Sequence, residues 1–359
     1  MTDPMSVNVH FKCFVMSSPV ERSAWEHFRA GREIETIDTS FSAQWMDWCR
    51  CDMPDRTVSA ALAAALLEAR CAASPTGNYG TWVWYPWRAE AVLLLEEEEF
   101  VAVRTNRNAL KITPEEQSAL RGKTVGVVGL SVGQSTAMAL AMERIVGGLK
   151  LADPDTIELS NLNRIPASVC DLGRPKAETV ARRIAEVDPY LRVELFSNGF
   201  HEGVVAEFMD GLDLVVDACD AVSAKALLRI AARDRRIPLI METNDRGMID
   251  VERYDDEAQQ DYLHGRIDAD KIQEMLEASA WTPEMLNAFV DLSAASEPAL
   301  RSLEEVGKTL VSWPQLYSDV AMGSGATAHI IRRLMLGDPI ADQRLHFDIH
   351  EHIAVAHTA

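Results

Sequence analysis

From Val125 to Gly133 the chain reads Val-Gly-Val-Val-Gly-Leu-Ser-Val-Gly, a short apolar strand that ends in a glycine turn and opens straight into a helix. Few junctions restrict a fold as much. The strand must be buried, and the turn must pass where a Cβ would not fit. The first amides of the helix then point outward, with the positive end of the helix dipole behind them. Such a terminus holds phosphate. The spacing departs from Gly-x-Gly-x-x-Gly, because Ser131 and Gln134 stand where glycines are expected. Taken alone, the loop fits nucleotide binding and simple turn packing equally.

The flanking chain narrows the choice. Thr124–Val128, 149–152, 214–216 and 237–241 read as short apolar strands. Between them, 135–145, 177–187 and 223–233 recur at helical spacing, and Thr113-Pro114-Glu115-Glu116 is a helix start. This alternation predicts an α/β fold, a Rossmann-like, doubly wound, mainly parallel sheet. Asp153 stands twenty-four positions after Gly129, at the end of the second strand, where an acid can accept hydrogen bonds from a ribose hydroxyl. These elements suit a dinucleotide-dependent oxidoreductase or an ATP-binding adenylating enzyme.

The residues beyond Asp153 separate the two. Asp153-Pro154-Asp155 leads into Ser160-Asn161-Leu162-Asn163-Arg164, then Gly173-Arg174-Pro175-Lys176 at a helix start, Val187-Asp188-Pro189 after that helix, and Asp217-Ala218-Cys219-Asp220 at a strand end. Upstream stands Arg104-Thr105-Asn106-Arg107-Asn108. In this order the elements resemble the ThiF/MoeB/HesA family of adenylating enzymes over residues 100–255, and loosely over 313–350. The resemblance implies an adenylyltransferase that uses ATP and Mg2+ on a substrate carboxylate. The glycine loop (Gly129, Ser131, Gly133), Asp153 and Asp155 would lie on the nucleotide, with Asp153 on the ribose. Asn161, Arg164 and Lys176 would contact the triphosphate, Asp220 would hold Mg2+, and Arg107 would act as an arginine finger from the other subunit of a homodimer. The oxidoreductase and a catalytically silent nucleotide-binding scaffold remain as alternatives, the latter because of Ser131.

Residue chemistry supports this reading. Charge accumulates at the α-phosphate as pyrophosphate leaves, so fixed cations are needed there. The net charge of −20 disfavours nucleic acid and anionic lipid as partners, and it demands a local basic group at any triphosphate site. Arg164, Arg174, Lys176, Arg182 and Arg183 are read as that group. No secretory leader or membrane span is evident, and six irregularly spaced cysteines suit reduced thiols, so a cytoplasmic protein is expected. Cys49-Arg50-Cys51 is a weak metal signal. The sequence has no cysteine beyond Cys219 and no CxxC pair, so neither an enzyme thioester nor the structural zinc of many relatives is expected. The acyl-adenylate would be attacked directly, on a small acid or on the C-terminus of a peptide or carrier protein.

Residues 1–100 fall outside the resemblance and are expected to form a smaller α/β accessory domain, with 101–359 as the adenylation domain. The alternation from Val7 to Val15 and the aromatic run Trp82–Trp87 read as strand, interrupted at Pro86, and 56–73 reads as helix. The accessory domain is a candidate peptide clamp. Glu242, Asp245 and Arg246 come after the fourth strand and are candidate substrate contacts. His346, Asp348, His350 and His352 alternate in an expected terminal strand, over 344–349, as the polar face of that strand or a metal set.

Overall fold

The computed structural model describes residues 11–243, 245–257 and 261–353. The described chain divides into two compact units, one made of residues 11–114 and Asp188–Tyr190, the other of Glu115–Val187 and the described residues from 191 to 353.

In the first unit, strands β1 (Lys12–Val15), β2 (Glu35–Ile37), β3 (Thr81–Tyr85) and β4 (Glu90–Leu94) form one sheet in the order β1-β3-β4-β2. Val7 and Val9 lie outside the described residues. Pro86 does interrupt the aromatic run, as the turn of the β3–β4 hairpin. Helices α1 (Pro19–Arg29), α2 (Phe41–Asp52), α3 (Ala60–Ala73) and α4 (Glu97–Thr105) complete the unit. Two clusters hold it together. Trp25 stacks on Trp82 beside Phe14 and Phe28, and Phe41, Trp45, Cys49 and Tyr79 pack against Leu95. Cys49 is therefore core, and the aromatic run is packed rather than offered to solvent. Asp188 of the Asp-Pro element is fully buried here and accepts from Arg104 Nη1 at 2.7 Å.

In the second unit, α5 (Pro114–Arg121) leads into β5 (Thr124–Val128), α6 (Gly133–Glu143), β6 (Gly148–Ala152), α7 (Lys176–Val187), β7 (Arg192–Phe196), α8 (Val205–Met209), β8 (Leu214–Asp217), α9 (Val222–Arg235), β9 (Leu239–Glu242) and β10 (Met248–Glu252). Helices α10 (Ala269–Glu277), α11 (Pro283–Val290), α12 (Glu297–Glu305) and α13 (Tyr317–Met335) precede the last strand, β11 (Gln343–His346). The sheet runs β11-β10-β9-β8-β5-β6-β7. Strands β9 to β7 in that order are parallel, and β10 and β11 add antiparallel pairs at one edge. This is the doubly wound, Rossmann-like sheet expected. The winding reverses between β5 and β8, so the crevice where such folds take ligands lies beyond the carboxyl ends of these two strands.

The terminal strand is shorter than expected. It ends at His346, Asp348 lies beyond it, and Ile349–His352 is a 3-10 turn, so the alternation on one strand face is not formed. Arg246 draws this segment in by pairing with Asp348 at 2.7 Å. Among the described residues no group of three or more His, Cys, Asp or Glu is placed to hold a metal ion, and no helix is long and apolar enough to cross a membrane.

Candidate nucleotide site

Gly129 is where the crevice begins. Its φ of +88° is a left-handed value, and a Cβ there would run into the backbone carbonyl of Ala218 at the end of β8. The two strand ends are pinned together, with Ala218 N–H donating to the Val128 carbonyl at 2.8 Å and Gly129 N–H to the Ala152 carbonyl at 2.9 Å. Gly133 opens α6 against the Val127 side chain. No side chain caps the N-terminus of α6. Ser131 is half-buried in the turn. Gln134, the second departure from glycine, points inward and donates to the Pro166 carbonyl at 3.4 Å, tying the helix to the arginine-bearing segment.

Asp153 sits buried at the end of β6. One carboxylate oxygen accepts from the Leu130 amide of the glycine turn at 2.6 Å, the other from the Asp155 amide at 2.8 Å. Burial lifts its carboxyl above the ordinary value, while Lys176 and the two amides pull the other way. The chain beyond is folded back on itself. Ile157 N–H donates to the Arg174 carbonyl and Gly173 N–H to the Ile157 carbonyl, both at 2.8 Å. This short ladder delivers Lys176, at the first turn of α7, to the Asp155 carboxylate at 2.9 Å.

Asn161 is also buried, and its amide oxygen accepts from the Glu158 amide at 3.0 Å to cap its own 3-10 turn. That leaves its NH2 as what it can offer a phosphate. Arg164 Nη1 donates to the Ser160 carbonyl at 3.1 Å, and its Nε is buried without a hydrogen-bond partner. Desolvation lowers the Arg164 pKa, and the charges of Asp220 and Glu158 oppose that shift. Asp220 is exposed, its carbonyl accepting from Trp281 Nε1 at 2.9 Å. Arg107 lies exposed on the 3-10 turn Asn106–Asn108 of the other unit.

Three of the five expected cations are committed elsewhere. Arg174 and Arg183 both approach Asp171, and Arg182 pairs with Glu178. The basic group thus reduces to Arg164 and Lys176, because the acids that neutralise the others are their own near neighbours. Glu242, Asp245 and Arg246 are likewise occupied. Asp245 accepts from Ser296 N–H at 2.9 Å, and Glu242 is buried under α6. Asp217, the first acid of Asp-x-x-Asp, is fully buried and bound by Lys225 at 3.0 Å and Arg229 at 2.7 Å. These cations hold its carboxyl down at about 2 against the penalty of burial. Cys219 donates its thiol to Asp217 at 3.1 Å, and burial and that carboxylate push the thiol well above its usual range.

A strand-ending glycine turn, a buried acid at the end of the adjacent strand and a lysine brought back beside it to Asp155 define a Rossmann-type unit. Residues 105–248 match the ThiF family, and this chain carries a ThiF-family domain there. An uncharacterised protein of Mycobacterium tuberculosis, MT1398, is 46% identical over 271 residues, covering 75% of this chain and 38% of that one. The tRNA threonylcarbamoyladenosine dehydratase of Bacillus subtilis is 34% identical over 152 residues, 42% of this chain and 59% of the relative. The chain thus spans less than two thirds of the length of either relative. Among solved structures, the Escherichia coli tRNA N6-threonylcarbamoyladenosine dehydratase in complex with ATP is 21% identical with a TM-score of 0.47, covering 65% of this chain and 93% of that one.

Proposed function

We propose that this protein adenylates a substrate carboxylate with ATP, releasing pyrophosphate, and that the acyl-adenylate is then attacked directly without an enzyme thioester. The observation that carries the reading is the meeting of the uncapped α6 terminus, buried Asp153 and Lys176 at the switch point of the sheet. Asp153 keeps lone pairs for the ribose, although each oxygen already accepts one amide. The α6 amides, the Asn161 NH2, Arg164 and Lys176 would stabilise the charge that builds on the α-phosphate as the carboxylate oxygen attacks and the pyrophosphate bond breaks. Lys176 would exchange Asp155 for phosphate. Asp220 supplies one exposed carboxylate, which suits Mg2+ held by one acid and the phosphates themselves. Bound there, the ion would neutralise the leaving pyrophosphate.

The burial of Cys219 supports direct attack. Cys219 is held neutral by Asp217, and the sequence has no cysteine beyond it. The attacking group is an amine, a sulfur donor or a second group of the same substrate, and the carboxylate is that of a small acid, a peptide or a carrier-protein C-terminus. Arg107 would reach the phosphates from the second subunit of a homodimer, and the first unit would clamp the substrate. ATP–pyrophosphate exchange over a panel of small acids and peptide C-termini tests the reading. Carboxylate-dependent exchange is the expected result, and ATP binding with no exchange for any acid would reduce the protein to a nucleotide-binding scaffold.

A further inference from the structure

Glu242 closes β9 at the carboxyl edge of the sheet, yet it does not face the crevice. It is 5% exposed and wedged between two helices. Thr136, in the first turn of α6, donates its hydroxyl to Glu242 Oε2 at 3.0 Å, and Ser324 of α13 lies 3.4 Å from both carboxyl oxygens. The fit against α13 is tight enough that a Cβ on Gly323 would collide with Oε1. Among the described residues the groups that act on the carboxyl are the hydroxyls of Thr136, Ser324 and Thr327, and no charged group of α6, α13 or the flanking strands does so. On β10 the residue opposite is Ile249.

We propose that Glu242, acting through Thr136, is a positioning residue that sets the first turn of α6 for nucleotide binding. The inference rests on the ATP reading above. Thr136 stands three residues after Gly133, so whatever fixes Thr136 fixes the height of the uncapped amides over the sheet. The wedge holds as a neutral acid. A carboxylate here would face no cation, and burial lifts the pKa to about 8. The proton has somewhere to go: the Thr327 hydroxyl lies in the same buried wedge and can rotate to accept it. Ionisation would strand a charge between α6 and α13 and loosen the turn that presents the amides.

The test is ATP affinity from pH 6.5 to 9.5 in the wild type, Glu242→Leu, Glu242→Gln and Thr136→Val. Wild-type affinity should fall by up to about tenfold per pH unit above pH 8, the limit for one linked proton. Glu242→Leu and Thr136→Val should weaken binding several-fold at pH 7. Glu242→Gln, the isostere of the neutral acid, should rescue the leucine variant's loss and abolish the alkaline decline. Amide exchange of the α6 first turn in nucleotide-free protein, corrected for intrinsic pH dependence, should rise above pH 8 in the wild type and not in Glu242→Gln. Equal alkaline profiles for wild type and Glu242→Gln, in binding and in exchange, would overturn the proposal. If ATP fails to bind at any pH, the ATP reading falls, and the exchange measurement still decides whether Glu242 holds the helix.

Discussion

Lys176 is bound twice to Asp155: its Nζ lies 2.9 Å from the carboxylate, and its backbone N–H donates to the Asp155 carbonyl, also at 2.9 Å. The backbone bond places the lysine, and the side-chain bond parks its charge. Because the Asp155 side chain is 66% exposed, it can be rehydrated when phosphate takes the lysine. Lys176→Ala should therefore cost at least about 100-fold in ATP–pyrophosphate exchange, while stability changes by no more than about 1 kcal/mol. It should also raise the Asp153 pKa, since Lys176 is the largest influence lowering it. Exchange kinetics and thermal denaturation measure the first two. Full activity in the variant would remove Lys176 from the phosphate site.

Gly129→Ala tests the turn itself. The substitution meets two obstacles, a φ of +88° and the Ala218 carbonyl. A left-handed alanine alone costs about 1 kcal/mol, and the collision adds to it, so a loss of about 2–3 kcal/mol is expected. ATP affinity should fall further than global stability does, because relief of the clash must part the ends of β5 and β8. Equal ATP affinity in the variant and the wild type would show that the turn does not approach the phosphates.

The parallel part of the sheet was legible because residues 125–128 and 214–216 are apolar and buried throughout, and the glycine turn announces the first junction. Strand β10 went unrecognised for a physical reason. It reads Met-Ile-Asp-Val-Glu, yet all five residues are buried, because Arg344 and His264 neutralise Asp250 and Arg229 neutralises Glu252. Charge that looks like solvent exposure in sequence is here an internal network. Strand β7, Arg-Val-Glu-Leu-Phe, does alternate, but over five residues it is easily taken for a connection. At the site, spacing and resemblance named Asp153 and Lys176. They could not reveal that Arg174, Arg182 and Arg183 are spent on Asp171 and Glu178, since such pairings depend on how α7 is docked.

Arg229 illustrates the stability side of that network. It is fully buried, lying 2.7 Å from Asp217 and 2.8 Å from Glu252. Arg229→Met leaves two carboxylates in the core, with Lys225 as the remaining cation on Asp217. Breaking one partner of a buried pair costs about 3–5 kcal/mol, and denaturant unfolding should show a loss of that size. The end of β8, and Asp220 with it, should become disordered before the rest of the sheet. A loss below about 1 kcal/mol would mean that water reaches the cluster.

His264 should make stability fall on the alkaline side. Its Nε2 lies 3.0 Å from Asp250, its Nδ1 bonds Asp342, and Arg344 closes the cluster on Asp250. Desolvation opposes the imidazolium, but the two carboxylates win and raise its pKa to about 9, while the same contacts lower those of Asp250 and Asp342. The histidine contribution is complete below its unfolded value of about 6.5 and disappears as pH rises through about 9. The two aspartates contribute above their unfolded value and lose it as pH falls below. Glu242 adds a slope of the same sign as the histidine, because an acid raised to about 8 destabilises the fold progressively from about pH 4.5 to 8. Comparison with His264→Gln at each pH isolates the histidine term. The stability gap between wild type and variant should be constant up to about pH 6.5 and close between there and pH 9, by about 1–3 kcal/mol. A gap that does not change over this range would show that the imidazole is uncharged in the folded protein.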